Sequence, residues 1–155
     1  PLPDPTSLPK VVVINGPNLN MLGLRQPEIY GAAGLADVEA LCLREGAALG
    51  FSVDCFQSNH EGAIVDRIQA CRGRAAGIVI NAGAYTHTSV AILDALMAAE
   101  VPAIEVHISN IHKRDAFRHH SYISAAAAGI VVGFGIQGYV LALKGLAGLL
   151  EGKKR

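Results

Sequence analysis

Five short apolar runs rich in β-branched residues recur along this chain: Lys10 to Ile14, Phe51 to Phe56, Gly77 to Asn81, Ala103 to His107 and Gly129 to Phe134. Helical patterns separate them. Leu35, Val38, Leu41 and Leu49 fall near a 3.6-residue period, as do Ile64, Ile68 and Cys71, then Val90, Leu93, Leu96 and Met97, and finally Tyr139, Leu143, Leu146 and Leu150. Strictly alternating strands and helices predict a parallel sheet covered on both faces, because parallel strands are joined by long right-handed crossovers that lay helices on the sheet.

With 155 residues, 51% of them apolar, the chain can build one well-buried core and is short for two. The expected organisation is a tail over residues 1–9 with four prolines, one α/β domain over residues 10–151, and a basic tail over residues 152–155. A flavodoxin-like three-layer sandwich with strand order 2-1-3-4-5 is the natural arrangement of five such strands. In that fold ligands collect beyond the carboxyl ends of the strands, near the point where strand order reverses. The loops there read Asn15-Gly16-Pro17-Asn18-Leu19-Asn20, Asn81-Ala82-Gly83-Ala84-Tyr85-Thr86-His87-Thr88-Ser89 and His107-Ile108-Ser109-Asn110. All three carry amides, hydroxyls or imidazoles, so they should converge on one polar cleft. The run Ile104-Glu105-Val106-His107 alternates like a strand and delivers a histidine at its end. Gly23 to Gly31, glycine-bounded and carrying Arg25 and Tyr30, reads as a mobile lid.

Charge and composition remove several function classes. Thirteen basic residues balance thirteen acidic ones, so the sequence-independent attraction behind nucleic-acid binding is missing. The Ala- and Gly-rich stretch from Ala125 to Ile136 is shorter than the roughly 20 apolar residues of a membrane-spanning helix, and the N-terminal residues carry no export pattern. No membrane partner and a cytoplasmic location are therefore expected. Cys42, Cys55 and Cys71 form no CxxC pair and are odd in number, which favours buried thiols over a disulfide framework or zinc site.

Other motifs point away from cofactors. Gly133-Phe134-Gly135-Ile136-Gln137-Gly138 fits GxGxxG, yet it follows the last strand with no later acidic residue to hold a ribose; a tight turn with close helix packing is the better reading. Pro17 removes an amide from the first loop, which weakens a flavin-phosphate cradle there. No GxSxG elbow is present, and His107, His112, His119 and His120 lack metal-ligand spacing. A metal and a cofactor are both unexpected. Arg114 and Arg118 would share a face if their segment were helical and could clamp a carboxylate, unless they form a solvated basic surface. Asp94 lies on the Val90 and Met97 side of an apolar helix, which calls for an internal ion pair, a partner subunit, or a substrate hydroxyl.

Together the blocks Ile14 to Asn20, Tyr30-Gly31, Gln57-Ser58-Asn59-His60-Glu61-Gly62, Asn81 to Ser89, Glu105-Val106-His107-Ile108-Ser109-Asn110 and Gly135-Ile136-Gln137-Gly138-Tyr139 resemble the type II 3-dehydroquinate dehydratases over Lys10 to about Leu150. The resemblance implies dehydration of 3-dehydroquinate to 3-dehydroshikimate by anti elimination through an enolate, without metal, cofactor or Schiff base. It implies Tyr30 as the base at C2, Arg25 as the lid arginine beside it, His107 as the general acid on the departing hydroxyl, Glu105 as the carboxylate orienting His107, and Asn18 at the enolate-stabilising water. Asn81, His87, Ile108, Ser109 and Arg118 match substrate-binding positions, and Asp94 matches the acid supplied by a neighbouring subunit of a dodecamer built from four trimers. One departure is Gly34, where a Thr or Ser cap is expected before Leu35.

Elementary chemistry fits these roles. A phenol of pKa about 10 needs about 4 kcal/mol of differential stabilisation to ionise near pH 7, which a nearby arginine in a closed, dry site can supply. Hydroxide leaves poorly unless protonated, and imidazole titrates in the right range for that duty. An enolate oxygen needs preplaced donors, which amide side chains and a bound water provide. None of Lys10, Lys113, Lys144, Lys153 and Lys154 sits at a strand end where a Schiff-base amine would be desolvated. The same reaction serves aromatic biosynthesis and quinate breakdown. The alternative of another class is a flavodoxin-like binding or electron-transfer module.

Overall fold

The computed structural model describes residues 7–24, 28 and 32–153. Strands β1 (Lys10–Asn15), β2 (Ser52–Gln57), β3 (Gly77–Asn81), β4 (Ala103–His107) and β5 (Gly129–Val132) form one parallel sheet in the order β2-β1-β3-β4-β5. Helices α1 (Leu35–Ala48), α2 (Glu61–Gln69), α3 (Val90–Ala99) and α4 (Gln137–Lys153) supply the crossovers and the last cover. Both the flavodoxin-like class and the strand order are as the alternation predicts.

Strand periodicity divides the core in two. Val11 and Val13 point to the face covered by α1 and α4, where they meet Val38, Cys42, Tyr139, Leu143 and Leu146; Val12 and Ile14 point to the α2 and α3 face, with Ile64, Ile68, Ile92 and Leu96. Each fully buried Ile or Leu contributes roughly 1.5–3 kcal/mol by leaving water, so the two cores hold the strand ends in place. Burial pushes the Cys42 thiol up to about 12 and the Cys55 thiol up to about 11, and all three cysteines are free. Such thiols pack and do not react.

Boundaries shift where backbone conformation intervenes. The fifth strand stops at Val132, short of the expected Phe134, because Gly133 takes φ +91° and turns the chain, leaving Phe134 exposed. At the amino end, the Pro9 carbonyl already accepts the Ser52 amide at 2.9 Å. At the other end, α4 runs to Lys153, two residues into the expected tail.

The expected apolar stripe on α3 needs correction. Ile92, Ala95, Leu96 and Ala99 face the sheet, whereas Val90 and Met97 are 50% and 63% exposed and Asp94 is exposed between them. An internal ion pair for Asp94 is therefore excluded among the described residues. The sequence VAILDALMAA is apolar on nearly every side, so its period carries little contrast.

Candidate active site

A cleft of about 160 Å³ opens at the carboxyl end of the sheet, below the range of drug-sized pockets and suited to a small polar molecule. Asn18 from the loop after β1, Asn81 and His87 from the loop after β3, and His107, Ile108, Ser109 and Arg118 from β4 onward all line it. Three strand ends thus bring together seven of the residues expected to act there.

The first two loops are held by direct backbone contact. The Gly16 amide donates to the Asn81 carbonyl at 2.8 Å, and a Cβ on Gly16 would sit 2.3 Å from the Ala82 carbonyl oxygen, so no larger residue fits. Asn18 takes a left-handed conformation, and its amide donates to Asn59 Oδ1 at 3.0 Å. Gln57 Nε2 donates to the Gly16 carbonyl and to Asn59 Oδ1, so the block after β2 braces the Asn18 loop.

Behind the cleft lies a buried polar relay. The Tyr139 hydroxyl, on α4, donates to Asn15 Oδ1 at 2.5 Å and accepts from Asn81 Nδ2 at 3.0 Å, while Asn81 Oδ1 accepts the Gly83 amide at 3.2 Å. Burial pushes the Tyr139 phenol upward, so it remains a neutral hydroxyl.

His107 pairs with Glu105 two residues earlier on the same face of β4, its Nε2 lying 2.5 Å from Glu105 Oε2. Burial raises the Glu105 carboxyl, but hydrogen bonds from His107, Ser124 and Ser121 more than offset it and hold the group below the ordinary carboxylate range. Ionised Glu105 accepts from Nε2–H and leaves Nδ1 of His107 for proton transfer. His87 is held below its ordinary value by burial, so the ring is neutral; its Nδ1 lies 2.8 Å from the His120 carbonyl, which can only accept, leaving Nε2 as an acceptor. Arg118 Nε is buried without an acceptor among the described residues, a donor suited to an anionic or hydroxylated ligand.

The GxGxxG run has a role here that its spacing does not reveal. The Gly133 amide donates to the His107 carbonyl at 3.1 Å and the Gly135 amide to the Ile108 carbonyl at 3.0 Å, both glycines having positive φ. The turn therefore clamps the end of β4, its two glycine amides being taken up by that contact.

Arg114 and Arg118 do not share a helix, because the 3₁₀ turns Ile111–Lys113 and Ala116–Arg118 are separated by extended backbone at Arg114; both still line the cleft. Arg114, which the sequence offers only jointly with Arg118 as a possible carboxylate clamp, adds a second arginine to the cleft wall. Ser121 and Ser124 carry no comparable signal, whereas Tyr139 stands in the sequence within a helical period and the Gly135-to-Tyr139 block without a role of its own. Asp94 does not line this cleft. Arg25 and Tyr30 lie outside the described residues. The described lysines are exposed and none lines the cleft.

A flavodoxin-like sheet here carries a carboxylate-held imidazole and two arginines at one end, groups suited to acid–base chemistry on a small anionic molecule. The family described as dehydroquinase class II matches residues 9–147, and the chain belongs to it. It is similar to a 3-dehydroquinate dehydratase of Cereibacter sphaeroides, 63% identical over 142 residues that cover 92% of this chain and 97% of the relative. A "Catabolic 3-dehydroquinase 1" of Aspergillus terreus is 60% identical over 141 residues, covering 90% of this chain and 93% of the relative. The crystal structure of a type II dehydroquinase from Butyrivibrio crossotus superposes with a TM-score of 0.87 at 45% identity, covering 90% of this chain and 97% of that one.

Proposed function

We propose that the chain dehydrates 3-dehydroquinate to 3-dehydroshikimate, and that His107 is the group that releases water. The observation carrying this reading is the Glu105–His107 pair, buried at the end of β4 and facing a small cleft with Arg114 and Arg118 on its wall. A carboxylate substrate would be held by Arg118, the Ile108 amide and Ser109, and its hydroxyls by Asn81 and by neutral His87.

In the proposed reaction the Tyr30 phenolate, kept ionised by Arg25, takes the proton from C2, and the electron pair moves onto the carbonyl oxygen as an enolate. Asn18, in its strained left-handed position, helps hold the water that donates to this oxygen. The enolate then collapses, the C1–O bond breaks, and His107 gives its proton to the leaving oxygen, so that water departs. Glu105 holds the imidazole throughout. An amine route through a Schiff base has no candidate among the described lysines.

The assembly is proposed to be a dodecamer of four trimers in the cytoplasm, with Asp94 entering a neighbouring subunit's site. Supporting this, Val90, Asp94 and Met97 form an exposed, largely apolar face on α3. The functional reading is tested by mixing purified protein with 3-dehydroquinate and following the conjugated enone in the ultraviolet. Enone formation that survives borohydride treatment is expected; no enone, or inactivation by borohydride with substrate, contradicts it.

A further inference from the structure

We infer that Ser121 and Ser124 are positioning residues for the proton donor: their hydroxyls keep Glu105 ionised and aimed at His107. The inference rests on the dehydratase reading of the cleft and extends it to two side chains that line no part of that cleft.

Glu105 is 1% exposed and forms no ion pair with Lys or Arg among the described residues. A carboxyl in that setting is neutral unless hydrogen-bond donors compensate its lost hydration. Both of its oxygens are taken: Oε1 accepts from Ser124 Oγ at 2.5 Å, and Oε2 accepts from Ser121 Oγ at 2.8 Å and faces His107 Nε2. A serine has one hydroxyl proton, and Ser121 Oγ already accepts the Ser124 amide at 3.1 Å, so its proton is directed at the carboxylate.

The segment carrying both serines is anchored independently. Ile123 between them is fully buried in the α2 and α3 side of the core, and the neighbouring Tyr122 amide donates to the Thr86 carbonyl at 2.9 Å. The charged or titratable groups that interact with the carboxylate are His107 from its own strand and, through electrostatics, His87 from the loop after β3, which in turn interacts with Arg118. Neutral hydroxyls have an advantage over a cation in this place. A Lys or Arg would neutralise Glu105 and compete with the imidazole, whereas hydroxyls leave the full negative charge for a protonated His107.

The test is the pH dependence of kcat and KM for 3-dehydroquinate in Ser121→Ala, Ser124→Ala and Ser124→Thr. Loss of one hydroxyl should lower kcat about 10-fold and move its acid limb up by about one pH unit, the size expected for one hydrogen bond to a charged group. KM should stay within about twofold, and Ser124→Thr, which keeps the hydroxyl, should restore the acid limb. A folded Ser121→Ala or Ser124→Ala whose acid limb matches wild type overturns the inference, whatever its rate. Titration of Glu105 by carboxyl-carbon NMR on the substrate-free protein separates this from the functional reading: an inactive wild type removes the dehydratase assignment, while an unmoved Glu105 titration in both alanine variants removes the serines' role.

Discussion

Burial and hydrogen bonding together set the protonation states at this cleft: burial keeps the half-buried His87 neutral, whereas hydrogen bonds overcome burial and keep Glu105 charged. His87 is held below its ordinary value of 6.5, so the unfolded chain takes up a proton that the folded chain refuses; stability falls as pH drops through about 6.5. Glu105 is held below 4.5, so its contribution is complete above that value and is lost as pH falls through the lower folded value. Urea midpoints across pH should therefore decline in two stages on acidification. His87→Asn should flatten the upper stage and Glu105→Gln the lower; a profile unchanged by either substitution contradicts this assignment. His107 and Glu105 were legible in the sequence because an alternating strand ends in polar loop residues. Ser121 and Ser124 were not, because they sit in irregular backbone whose path is set by Ile123 entering the core, and no spacing rule encodes that.

Strands and helices position the site through a few contacts between elements. The Tyr139 hydroxyl ties α4 to β1 through Asn15 and to β3 through Asn81, joining a covering helix to two neighbouring strands of the sheet at the back of the cleft. In Tyr139→Phe the buried Asn15 and Asn81 side chains lose a partner, and the cost should be about 1–3 kcal/mol in chemical denaturation. An unchanged midpoint would show that water or a rearranged amide replaces the hydroxyl without loss. Element order and sheet topology were readable because β-branched runs and helical periods alternate without interruption. The orientation of α3 was not, since a helix apolar all round presents no preferred stripe; its buried face, Ile92, Ala95, Leu96 and Ala99, is set by packing against α2 and the shared core. Its start is well marked, with Ser89 Oγ accepting the Ile92 amide at 2.9 Å. At α1 the Gly34 position offers no side-chain cap, but Asp37 reaches back to accept the Gly34 amide at 2.8 Å, recovering half of a capping box.

At the scale of the whole molecule, the exposed Val90, Asp94 and Met97 face is the surface proposed to meet a neighbouring subunit. In that proposal, a carboxylate between two exposed apolar side chains would gain by association where the acid meets a hydrogen-bond donor across the contact. Asp94→Ala should shift the sedimentation of the assembled protein toward smaller species or weaken substrate binding, and unchanged sedimentation with unchanged KM would reject an interface role. Among the described residues no helix is long and apolar enough to cross a membrane. The central claim concerns His107, and it is tested most directly by the rate of enone formation from 3-dehydroquinate in His107→Asn compared with wild type. The account predicts that turnover falls by at least about 100-fold while the fold is retained, as expected when a general acid is removed; a rate near that of wild type would contradict it.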